Sequence, residues 1–199
     1  MIKLGITGGI ASGKTTAATY LESKNAYIFN ADKQSKKHLK KSLALQKKII
    51  NIFGKVIVNN HKIDLKLLAE VAFKNSTNHT ILNGIMWPEI FLLIKKEYED
   101  IKKINKHSLF IVDAALIFEA KFTSFFDKNI LVTASEKIRL ERAIKRKNIS
   151  LENIQNRILL QMSEKDKKDI ADYTINNNYS KNNLYKKLDE IILNLNLSK

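Results

Sequence analysis

Apolar residues are distributed along this chain in two ways, as short continuous runs and as stretches that repeat with a period near 3.6. Short apolar runs bounded by polar or glycine positions fit strands buried on both faces, and the longer period fits helices with one apolar stripe. Five runs stand out, Ile2 to Ile6, Ala26 to Phe29, Leu109 to Asp113, Ile130 to Val132 and Ala171 to Ile175. The helical pattern covers Thr16 to Lys24, then Leu39, Leu43, Ile49, Ile50 and Phe53, with Gly54 as a stop. Val56 to Ile63 fits neither period clearly and contains a turn at Asn59-Asn60. Asp64 can cap a helix through Leu67, Leu68, Val71 and Phe73, and Ile90 to Tyr98 gives another. Trp87-Pro88 holds the only tryptophan and the only proline and predicts a helix boundary. Ser135 can cap a helix from Glu136 through Arg146, Ser150 one carrying Arg157 and Gln161, and Leu184 to Leu195 closes the chain as an amphipathic helix. Strands alternating with helices predict an α/β fold, a five-stranded parallel sheet with helices on both faces. Lys33 to Lys106 is far longer than a crossover between neighbouring strands needs, so it predicts an inserted helical subdomain.

The segment after the first strand carries the clearest chemistry. Gly8-Gly9-Ile10-Ala11-Ser12-Gly13-Lys14-Thr15 matches the phosphate-binding pattern G-x-x-x-x-G-K-[ST], with a strand before it and a helix after it. Glycines let successive backbone N–H groups turn toward phosphate oxygens, and the helix that follows directs its positive end at the same point. Lys14 would reach the β- and γ-phosphates, and the Thr15 hydroxyl would bind a nucleotide-bound Mg²⁺. Four of the six glycines lie in the nine residues from Gly5 to Gly13. Two acidic residues end strands near this loop. Asp32 follows the second run, where it is either a functional carboxylate at the sheet's ligand-binding edge or a cap for the next helix. Asp113 ends the third run in the manner of a Walker B segment, and Leu116-Ile117-Phe118-Glu119 brings a further carboxylate close by.

Composition narrows the remaining choices. The 199 residues suit one α/β domain with insertions. The absence of cysteine excludes disulfides and thiol catalysis, and the four histidines show no ligand spacing. No apolar run is long enough to span a membrane, so a cytoplasmic protein without a membrane partner is expected. The net charge of +15 accompanies Lys, Asn and Ile throughout the chain, with no basic stripe interleaved with aromatics, so a nucleic-acid partner is not expected. Arginine is used differently from lysine. Against 31 lysines, the four arginines, Arg139, Arg142, Arg146 and Arg157, fall within nineteen consecutive residues, where a planar bidentate fork would suit a phosphoryl group in transfer. The alternative is a solvated helix face. Arg139, Arg142 and Arg146 share one face of their helix, and Lys147-Asn148-Ile149 can hinge a movable lid.

With loop, acidic second strand, helical insertion and arginine-bearing lid in this order, the chain resembles the dephospho-coenzyme A kinase family of P-loop kinases over nearly its full length. The resemblance rests on Thr7 to Thr15, Asn30-Ala31-Asp32, Phe53-Gly54, Asp113 to Glu119, Arg142, Arg146, Arg157 with Gln161, and Ala171-Asp172 followed by Asn177. It implies a P-loop core over residues 1–32, 107–140 and 168–199, a helical dephospho-CoA-binding insertion over 33–106 and a lid over 141–167. By the same resemblance Asp32 is the general base for the ribose 3′-hydroxyl, and Lys14, Arg142 and Arg146 stabilise the transferring γ-phosphoryl. ATP is held by Gly8 through Thr16, Arg142 and Asn177. Asp32, Asp113, Glu119 and Arg139 face the substrate, and Thr15 and Asp113 hold Mg²⁺. The expected partner is dephospho-CoA, bound by a monomer or small homo-oligomer. Three positions depart from the family pattern. Asn30 stands where an aspartate is usual, Trp87 where a histidine precedes proline, and Ala114-Ala115 where a proline-containing turn follows Asp113. The alternatives are a nucleoside or nucleoside monophosphate kinase and, from another class, a nucleotide-driven switch or nucleic-acid-associated ATPase. The N-K-x-D and D-x-x-G segments of a GTP switch are absent.

Overall fold

The computed structural model describes residues 1–145 and 150–197. The order of elements is β1 (Ile2–Thr7), α1 (Lys14–Ser23), β2 (Tyr27–Asn30), α2 (Ala31–Lys41), α3 (Leu43–Phe53), β3 (Val58–Asn59), β4 (Lys62–Ile63), α4 (Leu65–Ala72), α5 (Ser76–Ile104), β5 (Leu109–Asp113), β6 (Lys128–Thr133), α6 (Glu136–Lys145), α7 (Leu151–Leu159), α8 (Glu164–Ile170), β7 (Tyr173–Asn176) and α9 (Lys181–Leu197). All five expected runs form one parallel sheet in the order β2-β5-β1-β6-β7. The register sets Asn30 beside Asp113 and Thr133 beside Asn176, so the polar strand ends line up at one edge, next to the loop that leaves β1.

Strands this apolar are stable in water only when both faces are covered. Alternation sends Leu4, Ile6, Ile111, Ile130 and Val132 to one face, where they pack with Ala17 and Leu21 of α1 and Leu184, Leu188 and Ile191 of α9. Phe29, Phe110, Val112 and Leu131 face the other way and share a single core with Leu39, Ile49, Ile85, Ile90 and Ile94. The residues between β2 and β5 therefore pack directly on the sheet, which ties the insertion's helices to the strand ends that carry the acids.

Two expectations are corrected here. Trp87-Pro88 does not end a helix, because α5 runs unbroken through Pro88. A proline inside a helix costs about 3 kcal/mol, whereas burying each of Ile85, Met86, Ile90 and Ile94 contributes about 1.5–3 kcal/mol, so the packed stripe outweighs the lost hydrogen bond. Gly84, whose carbonyl Pro88 leaves without its i+4 donor, and Pro88 itself are both exposed, so water can satisfy that carbonyl. Leu39 and Leu43 do not share one stripe either, since the chain breaks at Ser42 and Leu43 is exposed. Ser42 adopts extended backbone and accepts from Leu45 N at 3.2 Å, capping α3. The Gln46 amide donates back to the Leu39 and Lys40 carbonyls that end α2. The ambiguous segment Val56 to Ile63 becomes a short 3₁₀ turn and the β3-β4 hairpin, with Asn60 and His61 at positive φ in its two-residue turn.

Candidate active site

The phosphate loop is shaped by close approach as much as by glycine freedom. Gly13, at φ 110°, ends the loop and caps α1, and a Cβ placed there would lie 2.1 Å from Asn177 Nδ2. Gly8, at φ 148°, passes so near β6 that a Cβ would lie 2.0 Å from the Val132 carbonyl oxygen. Ser12 N donates to the Gly9 carbonyl at 3.2 Å, and Asn177 Nδ2 donates to the Ser12 carbonyl at 2.8 Å, so the loop is pinned from within and from the end of β7. Lys14 Nζ donates to the Gly8 and Gly9 carbonyls at 2.7 and 3.2 Å and so lies over the loop that it is expected to serve. Ile10 and Ala11 pack with Leu140, Ala143, Ile154 and Ile158, which joins the loop to α6 and α7.

Beneath the loop, Thr15 Oγ1 donates to Asp113 Oδ2 at 3.3 Å and Asn30 Nδ2 donates to the same oxygen at 3.1 Å. The Asn30 amide orientation is fixed at its other end, where Oδ1 accepts from Lys33 N at 2.8 Å and caps α2. The cap is thus Asn30, and Asp32 is released from that role into the exposed first turn of α2. Asp113 is 4% exposed, and its burial holds the carboxyl above its ordinary range; the positive charge of Lys14 opposes this and the negative charge of Asp32 adds to it. Asp32 also bears on Arg157, whose guanidinium is pulled below its ordinary pKa by burial and supported by that carboxylate. Asp32, Asp113, Lys14, Thr15 and Arg157 therefore form one electrostatic group.

Arg142 donates from Nη2 to the Asn177 main-chain oxygen at 2.9 Å. The two residues line a cleft of about 250 Å³ with Ala11, Gly13, Thr16 and Tyr179, against the start of α1. A second cleft, of about 340 Å³, opens at the ends of β6 and β7 over Thr133, Arg139, Glu164, Lys168 and Asn178. Arg139 is buried at its floor and pairs with Glu164 Oε1 at 3.4 Å. Glu119 Oε1 accepts from Met162 N at 3.0 Å and lies 3.1 Å from Nζ of the fully buried Lys167. Arg139 and Glu119, expected to face substrate, are thus engaged with other parts of the protein. Arg146 and the hinge Lys147-Asn148-Ile149 lie outside the described residues.

Sequence reasoning missed α8 and the two charged residues that it contributes, Glu164 and Lys167. A signal for the helix was present in Ser163-x-x-Asp166, where Ser163 Oγ accepts from Asp166 N at 3.1 Å. Nothing distinguishes Lys167 from the other thirty lysines. Arg157 lies on α7, and its partner is Phe73 at the end of α4, with the guanidinium carbon 4.4 Å from the ring centroid. Among the described residues no helix is long and apolar enough to cross a membrane.

Comparison with known proteins agrees with this geometry. The family model described as Dephospho-CoA kinase matches residues 2–183. A curated dephospho-CoA kinase of Chlamydia caviae is 35% identical over 190 residues, covering 96% of this chain and 94% of that one. The Fusobacterium nucleatum dephospho-CoA kinase is 35% identical over 187 residues, covering 94% of each. Among solved structures, dephospho-CoA kinase from Campylobacter jejuni superposes with a TM-score of 0.65 at 28% identity, covering 97% of this chain and 96% of that one. A crystal structure from Thermus thermophilus gives a TM-score of 0.80 at 25% identity over 98% and 97% of the two chains. Shikimate kinase from Acinetobacter baumannii, 15% identical with a TM-score of 0.51, shares the fold. A pinned phosphate loop beside two strand-end acids, and matches of this extent, carry one conclusion: the chain belongs to the dephospho-CoA kinase family.

Proposed function

We propose that this ATP-dependent dephospho-CoA kinase performs phosphoryl transfer with Asp32 as base, the phosphate loop as cradle and Asp113 with Thr15 as the metal-facing pair. The observation that carries the assignment is the shared oxygen Asp113 Oδ2, which receives both the Thr15 hydroxyl and the Asn30 amide beneath the loop. Asp32, close enough to raise the Asp113 pKa, remains free of the helix cap. In the reaction the 3′-oxygen of the dephospho-CoA ribose forms a bond to the γ-phosphorus of ATP as the bond from that phosphorus to the β–γ bridging oxygen breaks. Asp32 takes the hydroxyl proton, ADP leaves, and coenzyme A is the product. Lys14 and Arg142 hold charge on the phosphates, with Arg146 assigned the same task by its place in the sequence.

The Thr15 hydroxyl and the Asp113 carboxylate are hard oxygen donors 3.3 Å apart, which suits Mg²⁺, an ion that takes one or two protein oxygens and completes its shell with phosphates and water. When bound, the ion would neutralise charge on the β- and γ-phosphates. Asn30, where an aspartate is usual, presents an N–H to Asp113 and so adds no second negative charge beside the pair. The cleft formed by Arg142, Asn177 and Thr16 takes the adenine side of ATP, and helices from residues 33–106 take dephospho-CoA. Arg139 and Glu119 act by holding protein elements in place. The reading implies a cytoplasmic enzyme, where ATP is at hand.

The test is turnover of ATP with Mg²⁺ by purified protein, offered dephospho-CoA or a panel of nucleosides and nucleoside monophosphates, with product mass checked for one added phosphate. Conversion of dephospho-CoA in preference to the panel is the expected result. Preference for a nucleotide acceptor would overturn the acceptor assignments while leaving the loop and Lys14 in their roles.

A further inference from the structure

Of the six charged side chains on the seven-residue helix α8, two that stand three positions apart, Glu164 and Lys167, reach different parts of the protein. Lys167, fully buried, pairs with Glu119 in the segment that continues from Asp113. Glu119 Oε1 also accepts the Met162 N–H just ahead of α8, so this corner is held by a charge and by a main-chain bond. On the other side, Glu164 uses both of its oxygens. Oε1 pairs with Arg139 and Oε2 accepts from the Thr133 hydroxyl at the end of β6. Arg139 is buried and lies against the phosphate loop, where a Cβ on Gly9 would sit 2.1 Å from its Nη1 and 2.8 Å from Glu164 Oε1. Gly9 thus packs directly on the ion pair, and its own carbonyl holds both Ser12 N and Lys14 Nζ.

We infer that α8 is a fixed strut and that Glu164 is a positioning residue for the phosphate loop, acting through Arg139 on Gly9. Lys167 and Glu119 anchor the strut at a constant height, and Glu164 transmits that height to the loop. The neighbouring α7 meets the loop differently, through the apolar contacts of Ile154 and Ile158. Burial makes the arrangement stiff, since Lys167 has no exposure and Glu119 little, so water competes weakly for the pair. A loop held in the shape that binds triphosphate loses less freedom on binding, so the strut contributes to ATP affinity without touching the nucleotide.

The experiment is calorimetric titration of the full chain with ATP and Mg²⁺, with steady-state kinetics on dephospho-CoA alongside. Glu164→Gln removes the charge and keeps the volume; it should weaken ATP binding about tenfold, in the range found for residues that act through a neighbour. ATP KM should rise in step, with kcat and dephospho-CoA KM within about threefold and twofold of wild type. Loss of folded protein alone would lower kcat and leave KM unchanged. Arg139→Met should weaken ATP binding to a similar degree, and the double variant should be no weaker than the worse single one, because the two act in series. Where Glu164→Gln fails to fold, Thr133→Val releases the other oxygen of Glu164 at nearly constant volume and should move ATP affinity in the same direction. ATP affinity within twofold of wild type in the folded variants, or effects of Glu164→Gln and Arg139→Met that add, would overturn the proposal. The consequence for catalysis rests on the kinase reading, but a wild type that binds ATP and leaves dephospho-CoA unchanged would refute only that reading, and the binding comparison would still decide the strut.

Discussion

Asn177 is the residue whose side chain and main chain do separable work, which makes it a sharp probe of the loop. Its Nδ2 donates to the Ser12 carbonyl at 2.8 Å, while its main-chain N and O hold the Thr133 carbonyl at 2.7 Å and Arg142 at 2.9 Å. Asn177→Ala removes only the first contact. It leaves a carbonyl of the loop buried without its donor, at a cost of about 1–3 kcal/mol. In a chain of this size about 1 kcal/mol moves Tm by about 2–4 °C, so a fall of about 2–12 °C is expected. Asn177→Asp should be worse near neutral pH, because a buried carboxylate would face the Ser12 carbonyl with no proton to give. Its pKa in the folded state would be raised, so the lost stability should return as pH falls and the carboxyl becomes a donor. ATP affinity should drop in both variants, and dephospho-CoA KM should stay unchanged because the Arg142 contact is made to the main chain. Thermal melts at neutral and acid pH with ATP titrations decide the matter. An Asn177→Asp protein as stable as Asn177→Ala at neutral pH would refute the reasoning.

Asp32→Asn should leave ATP binding intact and reduce transfer to less than about a tenth of the wild-type rate, measured by product formation at saturating ATP. Asp113→Asn tests the electrostatics with the opposite sign in stability and activity. Burial raises the Asp113 pKa, so the ionised carboxylate costs the folded protein stability at neutral pH, and that cost vanishes below the ordinary carboxylate range, where folded and unfolded chains are both protonated. The variant should therefore be at least as stable as wild type near neutrality, converge with it in acid, and lose transfer; melts across pH check this. Gly13→Ala places a Cβ 2.1 Å from Asn177 Nδ2 at φ 110° and should lower both Tm and ATP affinity, read by melts and calorimetry. Phe73→Leu removes the face on which Arg157 rests and should lower kcat/KM for dephospho-CoA by about 2- to 30-fold, with ATP KM unchanged.

The phosphate loop and the five strands were readable because their requirements are local. A strand covered on both faces must be apolar along its length, and a loop that wraps phosphate must have glycine where Gly8 and Gly13 approach Val132 and Asn177. The boundary at Ser42 and the continuity of α5 through Pro88 were not readable, because each is decided by distant packing. Ile85, Ile90 and Ile94 carry α5 past a proline, and the Gln46 amide supports a break that leaves Leu43 exposed. The same limit applies to the candidate site. The two residues picked out by motif, Asp113 and Thr15, meet in the structure, and the Asn30 departure supplies a donor to the Asp113 oxygen. Arg139 and Glu119 were recognised as special by residue type, but their partners, Glu164 and Lys167, lie on a short helix that no apolar periodicity announced.

The arginines show why residue type carried that much information. Each of the three within the described residues joins separate parts of the protein. Arg139 lies between a carboxylate and the backbone of Gly9, Arg142 reaches a main-chain oxygen in the cleft at the start of α1, and Arg157 rests on an aromatic face. A guanidinium does this because it is planar and weakly hydrated, whereas an ammonium offers compact charge on a flexible stem. Lysine accordingly takes the exposed pairs, as in Lys128 with Asp172 and Lys187 with Glu190, where one carboxylate oxygen is the whole partner. In a buried setting Lys167 likewise meets a single oxygen, Glu119 Oε1, which it shares with Met162 N. Lysine makes such contacts too, since Lys14 donates to the Gly8 and Gly9 carbonyls and Lys3 lies over the Tyr98 and Phe125 rings, so the cation alone does not report the shape of its partner. The information lay in the clustering of the arginines, because Arg139 lies against Gly9 and Arg142 lines the cleft beside the loop.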